Sequence, residues 1–134
     1  MAPADSSLRL KVLLIEDSTL LQEALGGLLR ELDRVEVVAG AADEHTALEL
    51  LQRHRPHLAI VDLQLRAGSG LGVLRALAGD PERFGRPRAV VFSHHGRGAV
   101  RELCLSLGVE RVFDKATQAN DLLAYVRETM PQAG

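Results

Sequence analysis

Five side chains in this sequence are of types that act together in one kind of chemistry: Glu16, Asp17, Asp62, Ser93 and Lys115. Asp62 ends the stretch His57-Leu58-Ala59-Ile60-Val61-Asp62, an apolar run that stops abruptly on a carboxylate and is soon followed by Gly68-Ser69-Gly70. A similar run, Leu10–Ile15, stops on Glu16 and Asp17. Ala89–Phe92 closes on Ser93, and Val109–Phe113 is followed by Asp114-Lys115. Three carboxylates brought close repel one another unless they are protonated or bound to a cation. Hard oxygen donors suit Mg²⁺, which takes one or two carboxylates and keeps waters for a phosphate oxygen. A lysine supplies a point positive charge for a phosphoryl group, and a serine hydroxyl a neutral donor. A carboxylate, a metal, an ammonium and a hydroxyl around one gap are the parts for phosphoryl transfer onto aspartate. Taken singly, each residue has a plainer role: Glu16 and Asp17 as first-turn acids, Asp62 as a turn cap, Ser93 as a turn residue, Lys115 as a solvated end. Their joint occurrence at the ends of apolar runs carries the signal.

Short runs that are apolar at every position read as strands covered on both faces, as in the middle of a parallel sheet. The strands expected are Leu10–Ile15, Val35–Ala39, Leu58–Val61, Ala89–Phe92 and Val109–Phe113, each followed by a helical pattern. In the first helix Thr19 and Gln22 have capping-box spacing, and Leu21, Ala24, Leu25, Leu28 and Leu32 form one stripe. Asp43 caps the second helix, with Ala47, Leu48, Leu50 and Leu51 inward and Pro56 as its stop. The third helix spans Gly70–Ala78 and is followed by a basic loop, Asp80–Pro87; the fourth spans Ala99–Leu107. Thr117 is expected to cap the fifth, with Ala119, Leu122, Leu123, Val126 and Met130 inward and Tyr125 one position off that stripe, hence exposed.

Five β–α units without an internal boundary build an α/β fold, a doubly wound five-stranded parallel sheet with five helices. The flavodoxin-like order 2-1-3-4-5 places the ends of strands one, three, four and five around one crevice, which gathers the five polar residues there.

The chain has 134 residues, enough for one domain with a core, and 46% of them are hydrophobic. Residues 1–8 read as a flexible tail, 9–130 as the domain and 131–134 as a C-terminal tail. A formal charge of -2 gives no general attraction to nucleic acid or anionic membranes. One cysteine, Cys104, excludes an internal disulfide and fits a reducing cytoplasm. No apolar stretch approaches the roughly 20 residues of a membrane span. Gly68-Ser69-Gly70-Leu71-Gly72 departs from a dinucleotide loop in the place of its third glycine, and His94-His95 has no third residue at ligand spacing. The arginines at 83, 86, 88, 97 and 101 lack interleaved aromatics and read as a solvated surface.

From Arg9 to Met130 the sequence resembles the receiver domain of two-component response regulators, of the chemotaxis-receiver type. The resemblance rests on Ile15-Glu16-Asp17, on Arg55-Pro56-His57-Leu58-Ala59-Ile60-Val61-Asp62-Leu63, on Gly68-Ser69-Gly70-Leu71, on Ser93 and on Phe113-Asp114-Lys115. It implies that Asp62 accepts a phosphoryl group from a sensor histidine kinase or a histidine phosphotransfer protein. It also implies that Asp17, Asp62 and the backbone carbonyl of Gln64 bind Mg²⁺ directly, with Glu16 acting through water. Ser93 and Lys115 would contact the phosphoryl oxygens. Such a domain assists its own phosphorylation and dephosphorylation and is otherwise no enzyme.

An aspartate-nucleophile phosphatase is the competing enzyme class, but it needs a second acid where this chain has Gln64. A binding or dimerisation module that keeps only the fold is a third reading, disfavoured by retention of all five residues; a homodimer is left open. No output region follows the fifth helix, so the chain is either stand-alone or cut from a longer regulator.

Four positions depart from the family's commonest pattern: Arg66 and Ala116 stand where proline is usual, Val112 where an aromatic is, and His94 where a small residue is. Despite Ala116, a cis Lys115–Ala116 bond is expected, held by packing at about 2.5–4 kcal/mol. With no ring to swing at Val112, the response to phosphorylation should fall on Ser93 to Gly98 and leave Val112 and Tyr125 little affected.

Overall fold

The apolar runs become the strands of one parallel sheet, and the computed structural model that defines it describes residues 9–129. In chain order these are β1 (Leu10–Ile15), β2 (Val35–Ala41), β3 (Leu58–Val61), β4 (Arg88–Ser93) and β5 (Arg111–Asp114). The helices are α1 (Thr19–Arg30), α2 (Glu44–His54), α3 (Gly70–Gly79), α4 (Gly98–Ser106) and α5 (Ala119–Glu128). The sheet order is β2-β1-β3-β4-β5, the expected flavodoxin-like arrangement. All four residues of β3 are buried, as a central strand requires.

Alternate side chains of the sheet feed two cores. Leu13, Ile15, Ala59, Val61 and Val91 meet Ala47 and Leu51 of α2, Val73 and Leu74 of α3 and Cys104 of α4. Leu10, Val12, Leu14, Ile60, Val90 and Phe92 meet Leu29 of α1 and Leu122 and Val126 of α5. The register aligns Ile15 with Val61 and Val61 with Val91, so the polar residues that follow emerge at one edge.

Several local expectations need correction. Ser18, not Thr19, caps α1: its Oγ accepts from Leu21 N at 3.2 Å. The inward face is also displaced from the expected stripe: Leu25 and Leu32 still pack on the core, joined by Leu29. Gly26 and Leu29 are buried, whereas Leu21 and Leu28 are 42% and 45% exposed. Gln22 is no capping partner; its amide donates to the carbonyls of Glu16 and Ala41, at 2.6 and 3.1 Å. Thr117 does not cap α5, which begins after Gln118, and Gln118 Oε1 accepts from Asp114 N at 2.8 Å. β2 runs on to Ala41, and Val109 lies in the turn before β5.

The basic loop holds a short 3-10 turn, Pro81–Phe84, that buries Phe84 completely; Arg55 donates to the carbonyls of Arg83 and Glu82 and pins it. Tyr125 is half-buried rather than exposed, with its ring 5.9 Å from that of Phe113. The expected tails and the inward placement of Met130 lie outside the described residues.

Candidate functional site

Asp62 follows the last residue of β3, and its backbone N–H donates to Ile15 O at 2.8 Å, which sets it beside the end of β1. The next residue on β1 is Glu16, whose own N–H is taken by Ala41 O at 2.8 Å. Lys115 follows β5 and reaches back across the strand ends. Its Nζ lies 2.7 Å from Asp62 Oδ2 and 2.5 Å from Glu16 Oε1, with all three side chains less than a tenth exposed. Glu16 Oε2 also accepts from Ser18 N at 3.0 Å. Gln22 adds its bond to the Glu16 carbonyl, a tie that the sequence did not announce because it spans two strands and a helix.

Glu16, Asp17 and Asp62 each place a carboxylate oxygen within 4.8 Å of the other two. Three carboxylates against the one ammonium that bridges two of them leave two negative charges when all are ionised. Burial raises the Glu16 carboxyl above the usual range, against the lowering effect of Lys115 and the Ser18 N–H. Burial alone would depress the Lys115 ammonium, but hydrogen bonds from it to Asp62 and Glu16 and their charges raise it, so it stays charged. An all-oxygen cluster with two charges uncompensated fits a hard divalent cation such as Mg²⁺.

Ser93 ends β4 with 2% exposure, and its Oγ accepts from His95 N at 3.1 Å. Because Val61 pairs with Val91, Ser93 stands one residue further along its strand than Asp62 does. The backbone of Lys115 is joined to Ser93 by the bond from Lys115 N to Ser93 O, 3.2 Å. Gln64 N donates to Asp62 Oδ1 at 3.3 Å. The expected residues are thus brought to one edge of the sheet.

At the departures from the common pattern the chain uses other ties. Among the described residues there is no cis peptide bond, so the expectation for Lys115–Ala116 is wrong: the bond is trans. Lys115 is aimed into the crevice without it. Asp114 Oδ1 accepts from Ala116 N at 2.8 Å, and its Oδ2 meets Arg97 Nη2 at 2.6 Å, which holds the turn after the lysine. The Arg97 bond and then that of Ala116 keep the Asp114 carboxyl below its ordinary value. Arg66 reaches from the loop after Asp62 to donate to the Asp17 carbonyl at 3.2 Å. Gly96 packs on Val112, where a Cβ would lie 2.8 Å from Cγ1 of the valine.

The family model for the response regulator receiver domain matches residues 12–127. A protein-glutamate methylesterase/protein-glutamine glutaminase from Myxococcus xanthus is 33% identical over 109 residues, which cover 81% of this chain and 30% of that protein. The chain spans well under half the length of the curated relatives it matches. The response regulator domain of Thermotoga maritima CheB superposes with a TM-score of 0.80 at 18% identity, over 90% of this chain and 95% of that one. A chain of the CheX–CheY–BeF3–Mg²⁺ complex from Borrelia burgdorferi gives 0.78 at 19%, over 92% and 90%. Sheet order, the acidic cluster and the family match agree, and this chain belongs to the response regulator receiver domains of two-component signalling.

Proposed function

We propose that Asp62 is the phosphoacceptor of this receiver. One carboxylate oxygen attacks the phosphorus of a phosphohistidine; the P–N bond breaks with its electron pair left on the imidazole nitrogen, and a P–O bond forms on Asp62. The observation that carries the reading is the Lys115 ammonium, 2.7 Å from Asp62 Oδ2 and 2.5 Å from Glu16 Oε1. An ammonium has three N–H donors, so two carboxylates leave one for a phosphoryl oxygen. Ser93, at the end of the neighbouring strand, supplies a hydroxyl to another.

Asp17, Asp62 and the Gln64 carbonyl would hold Mg²⁺, with Glu16 behind a water, and the bound ion would offset the negative charge gathered on the phosphoryl oxygens. The Borrelia neighbour, solved with Mg²⁺ and BeF3, supports this by analogy of fold. The donor is a sensor histidine kinase or a histidine phosphotransfer protein, and the exchange takes place in the cytoplasm. No helix among the described residues is long and apolar enough to cross a membrane.

Borohydride reduction of the phosphorylated protein converts an aspartyl phosphate to homoserine. Peptide mapping should find that change at residue 62, and finding it at another carboxylate would overturn the assignment.

A further inference from the structure

The loop that follows Asp62 is fastened along one side to the loop between β2 and α2. Arg66 N donates to Ala42 O at 2.9 Å, and Glu44 N donates to Ala67 O at 3.0 Å. The Glu44 side chain closes the set: Ser69 N donates to its Oε1 at 2.9 Å. The first of these bonds is one that proline at position 66 could not make, because it has no N–H.

Two glycines leave room for that carboxylate. Gly68, at φ +74°, faces Glu44 so closely that a Cβ would lie 2.5 Å from the glutamate Cβ. A Cβ on Gly72 would lie 2.3 Å from Glu44 Oε1. An acid in the first turn of a helix is favoured by the helix dipole wherever it points. That role needs no acceptor geometry and no vacated neighbours, so it does not account for the fit.

The tie continues inward. Ser69 forms an isolated antiparallel bridge with Gln64, and Gly70 N donates to Leu63 O at 3.0 Å. From Glu44, therefore, only Ser69 intervenes before the backbone of Gln64. We infer that Glu44 is a positioning residue for the cation site, holding the Gln64 carbonyl through Ser69. The inference rests on the reading above that Asp17, Asp62 and Gln64 bind Mg²⁺. A carboxylate that accepts a backbone N–H makes a charge-assisted bond, stronger than a neutral one. Residues that orient metal ligands from one step away change metal affinity by roughly tenfold or more when removed.

The test combines calorimetric titration of Mg²⁺ with amide hydrogen exchange at Ser69 in metal-free protein, for the wild type, Glu44→Ala, Glu44→Gln and Gly72→Ala. Glu44→Ala should speed exchange at Ser69 and weaken Mg²⁺ roughly tenfold. Gly72→Ala, which displaces the carboxylate without removing it, should act in the same direction. Glu44→Gln keeps an oxygen acceptor and should recover most of the affinity. Wild-type protein that takes up no Mg²⁺ would overturn the reading of the site itself. If the wild type binds and Glu44→Ala and Gly72→Ala bind equally well, only the role of Glu44 falls, whatever happens to Ser69 exchange.

Discussion

Gly70 rests on the backbone carbonyl of Asp62, so closely that a Cβ there would lie 2.1 Å from the oxygen and 2.8 Å from Leu63 Cα. Both obstacles are backbone, so no rotamer change relieves them. Gly70→Ala should therefore force the end of β3 away from α3, with an overpacking penalty of about 1–3 kcal/mol. Gly79, at the far end of the same helix, has nothing within 4 Å of where its Cβ would be. Gly79→Ala should stabilise by about 0.4–1 kcal/mol. Urea unfolding of the pair checks both signs, and equal stabilities would show that the helix is not seated on Asp62.

Asp17 is the carboxylate of the cluster that Lys115 does not touch. Removing its oxygens should weaken Mg²⁺ binding with little loss of fold. Calorimetry on Asp17→Ala should show affinity at least about tenfold below wild type. Unchanged affinity would place the cation elsewhere.

Tyr125 gives a pH prediction whose sign follows from its surroundings. Burial, then the hydrogen bond to Glu110 and that residue's charge, push its hydroxyl up to about 12. The unfolded chain loses this proton near the ordinary value of about 10, while the folded state keeps it. The contribution to stability is thus complete below pH 10 and is lost as pH rises toward 12. The chain has one tyrosine and no tryptophan, so absorbance at the tyrosinate band reads this group alone. Glu110→Gln should bring the midpoint down; a wild-type midpoint near 10 would mean that the hydroxyl is not held.

The contact between Gly96 and Val112 changes what the lack of an aromatic at 112 implies. A β4–α4 loop that moves toward a phosphoryl group leaves the Val112 methyl it rests on, so Val112 joins the responding residues. The Tyr125 ring is held by Phe113, Arg111 and Glu110 and should stay. Beryllofluoride with Mg²⁺ should shift the NMR signals of Ser93 to Gly98 and the Val112 methyls, and leave Tyr125 nearly unchanged. A ligand can shift an equilibrium only by its difference in free energy for the two states. Shifts at Tyr125 as large as those at Ser93 would show that the far surface takes part after all.

The strand ends were legible in the sequence because the signal is local: an apolar run covered on both faces that stops on a polar side chain. The sheet order followed from the repeat of β–α units, and with it the gathering of Glu16, Asp17, Asp62, Ser93 and Lys115. Tertiary contacts decided the rest. In α1, packing against the sheet chose Leu25, Leu29 and Leu32 over Leu21 and Leu28, which the period alone did not separate. Phe84 sits in a loop by sequence and in the core by packing. Nothing local in the sequence marks Glu44, since its partner Ser69 lies 25 residues away. Position 116 misled for the opposite reason: a family habit was carried onto a residue that keeps its bond trans.

Intact mass spectrometry after incubation with acetyl phosphate and Mg²⁺ tests the central claim most directly. The wild type should gain the mass of one phosphoryl group, Lys115→Ala should gain it far more slowly, and Asp62→Asn should gain none. Asp62→Asn labelled to the wild-type extent would contradict the account, because the carboxylate bonded to Lys115 would then not be the acceptor.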